Sequence, residues 1–183
     1  SASLAKFGRR TLLIDADLRN SRLLNTLDLG ESERDGLSGL LTNPNATLAG
    51  TVERLDQFGF DYVSPGVRPP NPVDLLATSR LGEIIDEARG QYDQIVIDAA
   101  PLLSLADAVE TAKVADGVIY VIEFDRVKLK AIRAAIDRLR ASGAKVYGAA
   151  LTKLDQRAAE YGYGYGYGYG YGYGYGEKET QDA

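Results

Sequence analysis

Two short runs of aliphatic residues in this chain each end directly on aspartate. Residues 12–14 lead into Asp15 and Asp17, and residues 95–97 lead into Asp98. Short runs with apolar residues on both faces predict strands of a parallel sheet that helices cover. The acids then lie at the carboxyl edge of the sheet, where open α/β sheets bind ligands. An acid partly withdrawn from water needs a compensating cation or donor, and three such acids suggest magnesium and phosphate.

The composition limits the chemistry that the chain can perform. Its 183 residues include no cysteine and no histidine, which excludes thiolate metal sites, disulfides and histidine acid–base catalysis within this chain. The formal net charge of -5 provides no global positive field, so we expect no nucleic-acid partner. Carboxylates, lysines, arginines and tyrosines remain as the chemically active groups.

Strand-like and helix-like segments alternate along residues 1–157, which we interpret as one domain. The alternation predicts right-handed βαβ units and an α/β fold with a doubly wound, mainly parallel sheet flanked by helices. Helical patterns cover residues 1–7, 36–41, 75–85, 105–114 and 127–141. Buried strands are expected at residues 11–14, 60–63, 95–98 and 117–122, and a last strand at 145–151 closes the sheet.

Residues 158–183 have a different character, because tyrosine and glycine alternate strictly from Tyr161 to Gly176. Glycine at every second position opposes a fixed backbone conformation. We therefore expect a disordered, low-complexity tail. Tyrosines elsewhere, such as Tyr62, fall in or beside predicted strands, and we expect them to contribute to packing.

The aspartates that end the two runs suit phosphoryl transfer. A single aspartate after a strand commonly caps the next helix, but two such runs in one chain favour a nucleotide site. Asp98 is placed to hold Mg²⁺ directly or through water, while Asp15 and Asp17 flank the terminal phosphate, where one accepts a proton. For Arg19 two interpretations stay open, namely a phosphate contact and an ion pair with one of these acids.

These motifs resemble those of the bacterial tyrosine kinases that regulate exopolysaccharide and capsule synthesis. The run ending at Asp15 is similar to the family's second Walker-type motif, and the run ending at Asp98 is similar to its Walker B motif. Further segments resemble the family in the same order, at residues 36–38, 66–76, 101–103 and 107–108, followed by a terminal tyrosine cluster. Related partition and division-site ATPases share the aspartate runs but usually lack a segment like residues 69–72.

The resemblance implies an ATP-dependent, P-loop-type tyrosine autokinase that uses ATP and Mg²⁺ and phosphorylates its own tail. Asp15, Asp17 and Asp98 become the catalytic acids, with Asp15 and Asp98 at the metal. Arg19, Thr152 and Lys153 become nucleotide contacts. The implied phosphate acceptors are Tyr161, Tyr163, Tyr165, Tyr167, Tyr169, Tyr171, Tyr173 and Tyr175.

The resemblance also implies partners and a location. They are a transmembrane adaptor in the same or a separate chain, further copies in a ring, protein tyrosine substrates, and the cytoplasmic face of the bacterial inner membrane. Residues 126–145 carry seven basic residues and one acid. This segment is either a solvated helix face or a contact surface for anionic lipid or the adaptor.

One element of the family pattern is missing, since the sequence has no glycine-rich phosphate loop with its Lys-Ser/Thr. Residues 1–7 resemble the end of the helix that follows this loop, so we expect a fragment cut within that helix. Such a fragment would bind ATP weakly or not at all. Two alternatives remain, a partition or division-site switch ATPase and a non-catalytic pseudokinase module of a polysaccharide chain-length regulator.

Overall fold

The computed structural model describes residues 1–29, 35–103 and 106–154, which form eight helices and six strands. Several helices are short, and the longest is α8 with 13 residues. In chain order the elements are α1 Ala2–Lys6, β1 Thr11–Asp15, α2 Leu23–Thr26, α3 Gly36–Thr42, α4 Leu48–Thr51, β2 Glu53–Leu55, β3 Phe60–Val63, α5 Pro72–Leu76, α6 Ser79–Arg89, β4 Gln94–Asp98, α7 Asp107–Lys113, β5 Val118–Glu123, α8 Leu129–Ala141 and β6 Val146–Thr152.

The strands are mainly parallel, which confirms the predicted fold class. One sheet has the order β2-β3-β1-β4, with β1 parallel to both β3 and β4, and only its edge strand β2 runs antiparallel. The expectation that the last strand closes this same sheet is wrong. In the described part of the chain β6 pairs with β5 alone, in parallel, and the two form a separate sheet.

Strand β1 is buried on both faces, as its sequence predicts. Leu12 and Ile14 lie in a core that the helices α3 and α6 complete. Leu13 points to the opposite face, where it packs with Phe60 and Tyr62. This alternation between two covered faces is the reason why a continuous aliphatic run forms the central strand.

The second sheet is covered on one face only. Val118 and Tyr120 of β5 and Val146 of β6, together with helices α7 and α8, form a smaller core around Ala135 and Leu139. On the other face Ile119 and Val121 are 65% and 61% exposed. The expectation of a third fully buried strand at residues 117–122 is therefore wrong, because no described helix covers that face.

Two helices replace the single helical pattern expected at residues 75–85. Helix α5 ends before Thr78, whose extended backbone (φ -73°, ψ 154°) interrupts the helix, and α6 starts at the next residue. Helices α2 and α4 and strand β2 were not expected from the sequence. Within the described ranges, no helix has the length and apolar content that crossing a lipid bilayer would require.

A close contact between two glycines connects α3 to the segment that follows β3. Gly36 and Gly66 both have positive φ angles, +63° and +74°. A Cβ on Gly36 would lie 2.3 Å from the backbone nitrogen of Gly66, so only glycine fits there. The N–H of Leu37 donates to the carbonyl of Ser64 at 2.7 Å, which fixes α3 at the carboxyl edge of the sheet.

Candidate functional site

The two aspartate-ended runs finish side by side, as the sequence predicts. Asp15 of β1 and Asp98 of β4 are paired residues in the parallel register. The N–H of Ala16 donates to the backbone carbonyl of Asp98 at 2.8 Å, which holds the two strand ends together. Asp17 follows in the turn after β1, and its N–H donates to Oδ1 of Asp15 at 3.1 Å. The three acids therefore occupy one end of the sheet.

Asp15 is fully buried and is held by hydroxyl groups. Its Oδ2 accepts hydrogen bonds from the hydroxyl of Ser21 and from that of Tyr62, the latter at 3.2 Å. Burial raises the pKa of Asp15, and the donors from Ser21, Asp17 and Tyr62 oppose that rise. Burial and the charge of Asp15 also raise the pKa of Tyr62, so its hydroxyl stays protonated and acts as the donor.

Asp98 remains exposed to solvent, although the surrounding protein removes part of its hydration. This desolvation raises the pKa of Asp98, and the negative charges of Asp15 and Asp17 raise it further. Repulsion of this kind is relieved by a cation, and carboxylate oxygens are ligands that Mg²⁺ prefers. The described residues include no group of three or more acids arranged as a metal ligand set, and the assignment of Asp15 and Asp98 to a metal stays a prediction.

Arg19 forms a bidentate ion pair with Asp107 in the first turn of α7. Its Nε and one Nη donate to the two carboxylate oxygens at 2.5 and 3.1 Å, and Asp107 is only 1% exposed. The backbone N–H of Arg19 donates to Oδ1 of Asp17 at 3.2 Å. The structure therefore pairs Arg19 with Asp107, an acid that the sequence did not place in the site, and not with one of the three acids that the sequence offered as partners. The nucleotide contact of Arg19 stays a prediction.

The structure does not bring Thr152 and Lys153 into contact with the three acids. Thr152 is the last residue of β6 in the second sheet and Lys153 follows it, and the ammonium of Lys153 donates to Glu123 at 3.0 Å. The hydroxyl of Thr152 donates to the carbonyl of Ile122 at 3.3 Å. Their assignment to the nucleotide stays a prediction. The proposed acceptors Tyr161 to Tyr175 lie outside the described residues.

Besides Asp107, two residues of the site were missed from the sequence. Ser21 was not singled out, and Tyr62 was expected only to pack. The pairing of the strands could have indicated Tyr62. Strand β3 lies beside β1 and places Tyr62 opposite Leu13, and Leu13 lies two residues before Asp15. A tyrosine in a strand that neighbours a buried acid supplies the hydroxyl which that acid requires.

Comparison with solved structures defines the class of protein. The kinase domain of VpsO superposes with a TM-score of 0.77 and 32% identity, over 84% of this chain and 74% of that one. The kinase domain of the Escherichia coli tyrosine kinase ETK gives a TM-score of 0.80 with 29% identity, over 93% and 64% of the two chains. The septum site-determining protein MinD of Pyrococcus horikoshii, complexed with Mg-ADP, has 22% identity and a TM-score of 0.66 and shows the shared fold alone. The chain has the α/β fold of P-loop-type kinase domains.

Sequence relatives establish the family. The tyrosine-protein kinase CpsD of Streptococcus agalactiae serotype III is 34% identical over 160 residues, which are 87% of this chain and 68% of CpsD. EpsB of Ralstonia solanacearum, named a putative tyrosine-protein kinase, is 37% identical over 162 residues, 88% of this chain and 21% of EpsB. No family model matches the chain. The chain belongs to the bacterial tyrosine-protein kinase family of CpsD and EpsB, as the motifs indicated, and it spans about a fifth of the length of the EpsB relatives.

Proposed function

We propose that the intact protein is an ATP-dependent protein-tyrosine autokinase that phosphorylates its own tyrosine cluster. In this proposal, phosphorylation regulates the synthesis and export of exopolysaccharide or capsular polysaccharide. The observation that carries the proposal is the register of Asp15 and Asp98, which end two neighbouring parallel strands at one edge of the sheet. The names of relatives such as CpsD support the tyrosine kinase activity. EpsB and a Klebsiella pneumoniae relative named for the cps region support the role in polysaccharide synthesis.

The three acids differ in accessibility, and we assign their roles accordingly. Asp98 is exposed and would hold Mg²⁺ directly or through water. The buried Asp15 would provide a second negative charge next to the ion. Asp17 is partly exposed in the turn and would accept the phenolic proton of the attacking tyrosine. When bound, ATP would supply the γ-phosphoryl group and leave as ADP, and Mg²⁺ would neutralise the charge that develops during the transfer.

Further nucleotide contacts would come from Arg19, Thr152, Lys153 and a phosphate loop. The 183 residues contain no such loop, so in this proposal a preceding segment of the full-length protein supplies it. Asp107 restrains Arg19 through the bidentate pair. The pair keeps the guanidinium beside the turn that carries Asp17.

We also propose the partners and the location. The active form would be a ring of subunits attached to a transmembrane adaptor, at the cytoplasmic face of the inner membrane, with protein tyrosines as substrates. Tail phosphorylation would loosen the ring, because each phosphate adds about -1.5 to -2 charges near neutral pH. Glu160 and Glu177 flank the tyrosine-glycine repeat, and the phosphates would add to this negative charge and repel an acidic neighbour.

One observation favours a second candidate, since the sequence has no phosphate loop. A full-length protein that also lacks the loop would be a pseudokinase module of a polysaccharide chain-length regulator, which acts by binding alone.

The experiment is expression of the domain with its natural upstream residues, followed by addition of ATP and detection of phosphotyrosine. We expect label on the tail, loss of label in Asp98→Asn, and loss of label when the eight tail tyrosines are phenylalanine. Hydrolysis of ATP without tyrosine label would indicate a switch ATPase. The absence of both activities would indicate the pseudokinase.

A further inference from the structure

Helix α8 carries a cluster of cations on the side that faces away from the second sheet. The side chains of Lys130, Arg133, Arg138 and Arg140 are exposed, whereas the opposite side of the helix is buried around Leu139. Residues 128–141 contain five cations and one acid, a net charge of +4, in a chain whose total charge is -5. The helix is therefore a positive surface on an acidic protein.

The side chains of these cations form no ion pair with any described residue. Arginines in other parts of the fold do form such pairs, as Arg19 does with Asp107 and Arg89 with Asp116. The cations of α8 are thus free to bind an anion from outside the helix. A guanidinium binds phosphate well, because two of its N–H groups can donate to one phosphate in parallel.

The end of the described chain lies beside the start of α8. Glu123, the last residue of β5, accepts from Arg126 before α8 at 2.7 Å and from Lys153 after β6 at 3.0 Å. The N–H of Phe124 also donates to the carbonyl of Thr152 at 2.9 Å. The chain therefore leaves β6 next to the amino-terminal end of α8.

The tyrosine-glycine repeat at 161–176 is attached close enough to reach this helix. Residues 155–160 connect the end of the described chain to the repeat, and six extended residues span about 20 Å. Helix α8 has 13 residues and is about 20 Å long. The repeat can therefore reach every turn of α8 in its own subunit. A ligand joined by a short flexible connection acts at an effective concentration on the order of millimolar, so weak individual contacts suffice.

Phosphorylation would give the repeat a charge that matches the helix. Each phosphotyrosine carries about -1.5 to -2 charges near neutral pH, whereas the unmodified repeat between Glu160 and Glu177 carries none. Alternate residues of an extended chain lie about 7 Å apart. About three phosphotyrosines would therefore fit along the length of α8, and the glycines between them restrict the backbone least.

We propose that the exposed cations of α8 form a phosphotyrosine-binding site, which binds the phosphorylated repeat 161–176 of the same chain. Helix α8 packs on the second sheet, whereas Asp15 and Asp98 end strands of the first. Binding to α8 would withdraw phosphorylated tyrosines from the acids and leave the unmodified ones available to them. The purpose of the site rests on the proposed autokinase function, but binding of a phosphorylated peptide requires neither ATP nor catalysis.

The test uses the full chain with its eight tail tyrosines replaced by phenylalanine, so that its own tail cannot compete as a phosphorylated ligand. The probe is a labelled peptide that copies residues 158–178, with phosphate on the first three tyrosines or on none. Fluorescence anisotropy without nucleotide measures binding. We expect the phosphorylated peptide to bind about tenfold more tightly than the unmodified one, and its affinity to fall as salt screens the charges.

Substitutions that change one charge each locate the site. Arg133→Gln and Arg140→Gln should each weaken binding of the phosphorylated peptide about two- to fivefold. The matched control Arg9→Gln removes the same charge from an exposed arginine before β1 and should leave the affinity unchanged. Asp137→Asn removes the one acid of α8 and should tighten binding about twofold, a gain that a folding defect would not produce.

Equal affinity for the two peptides, or an equal effect of Arg9→Gln and Arg133→Gln, would overturn the phosphotyrosine site. Vesicles that contain phosphatidylglycerol provide the alternative anion. Co-sedimentation with these vesicles that is lost in Arg133→Gln and Arg140→Gln, while peptide binding is not, would assign the surface to lipid and also overturn the proposal. Binding of the phosphopeptide at α8, without phosphotyrosine formation by the complete kinase, would refute the autokinase function and leave the site standing.

Discussion

Replacement of Tyr62 by phenylalanine tests how the buried acid of the site is held. The substitution removes one hydroxyl and leaves the ring that fills the core beside Leu13 and Phe60. The lost group is a donor at 3.2 Å to a carboxylate that is fully buried. A hydrogen bond to a charged group contributes about 1.5–3 kcal/mol. We expect Tyr62→Phe to lower the free energy of unfolding by that amount at pH 8.

The loss should depend on pH with a definite sign. Burial raises the pKa of Asp15 above its ordinary value of 3.8, so the folded protein binds the Asp15 proton more tightly than the unfolded chain does. The contribution of Asp15 to stability is therefore most favourable below pH 3.8 and falls as pH rises through its folded pKa. Without the hydroxyl of Tyr62 the folded pKa rises further, and the difference between the two proteins grows with pH.

Urea denaturation of both proteins at pH 8 and pH 4 measures this difference. The cost of Tyr62→Phe should be larger at pH 8 than at pH 4, because the raised pKa of Asp15 favours its protonated form as the pH falls. Tyr120→Phe is the control, because this half-buried tyrosine of β5 has a pKa raised by burial alone, and we expect a change of less than about 0.5 kcal/mol. A cost for Tyr62→Phe below about 0.5 kcal/mol at pH 8, or an equal cost at both pH values, would show that the Tyr62 hydroxyl does not stabilise the charged form of Asp15.

Three further predictions follow from the same geometry. In the complete kinase, Asp17→Asn should lower kcat for tail phosphorylation about 10²- to 10⁴-fold with nucleotide affinity retained, and an unchanged kcat would exclude Asp17 as the base. Arg19→Ala should lower the free energy of unfolding, because it leaves the buried carboxylate of Asp107 without its ion-pair partner, whereas Asp107→Asn should cost less; the reverse order in urea denaturation would contradict this. Gly36→Ala should lower the melting temperature because of the contact with Gly66, while the control Gly82→Ala, in helix α6 with open space around it, should maintain or raise it; equal effects would contradict the close-contact argument.

The central strand β1 and the position of the acids could be predicted from the sequence for a physical reason, whereas β4, which was expected to be buried, lies at the edge of its sheet and is only partly buried. A strand that is buried on both faces must be apolar at every position, and Leu12 to Ile14 are. Parallel strands also direct their carboxyl ends to one edge, so Asp15 and Asp98 had to meet wherever β1 and β4 are neighbours. The resemblance to the tyrosine kinases rests on these runs, and the CpsD relative confirms it.

Other features depend on contacts between distant parts of the chain. The hydroxyl that holds Asp15 comes from Tyr62, 47 residues away, and the acid that holds Arg19 comes from Asp107, 88 residues away. The pattern of neighbouring residues in the sequence does not indicate which distant residues will pair. The prediction for strand β5 was wrong for a different reason. Its continuous apolar run predicted burial on both faces, but in the structure helices cover only one face.

In the proposed kinase, Asp15 and Asp98 face one divalent cation beside a nucleotide. Paramagnetic Mn²⁺, added with ADP to the domain that carries its natural upstream residues, tests this claim directly by amide NMR. We predict selective broadening of the amide signals of Ala16 and Ala99, the residues that follow the two acids, and loss of that broadening in Asp98→Asn. Broadening that spares both amides, or that persists unchanged in Asp98→Asn, would contradict the account.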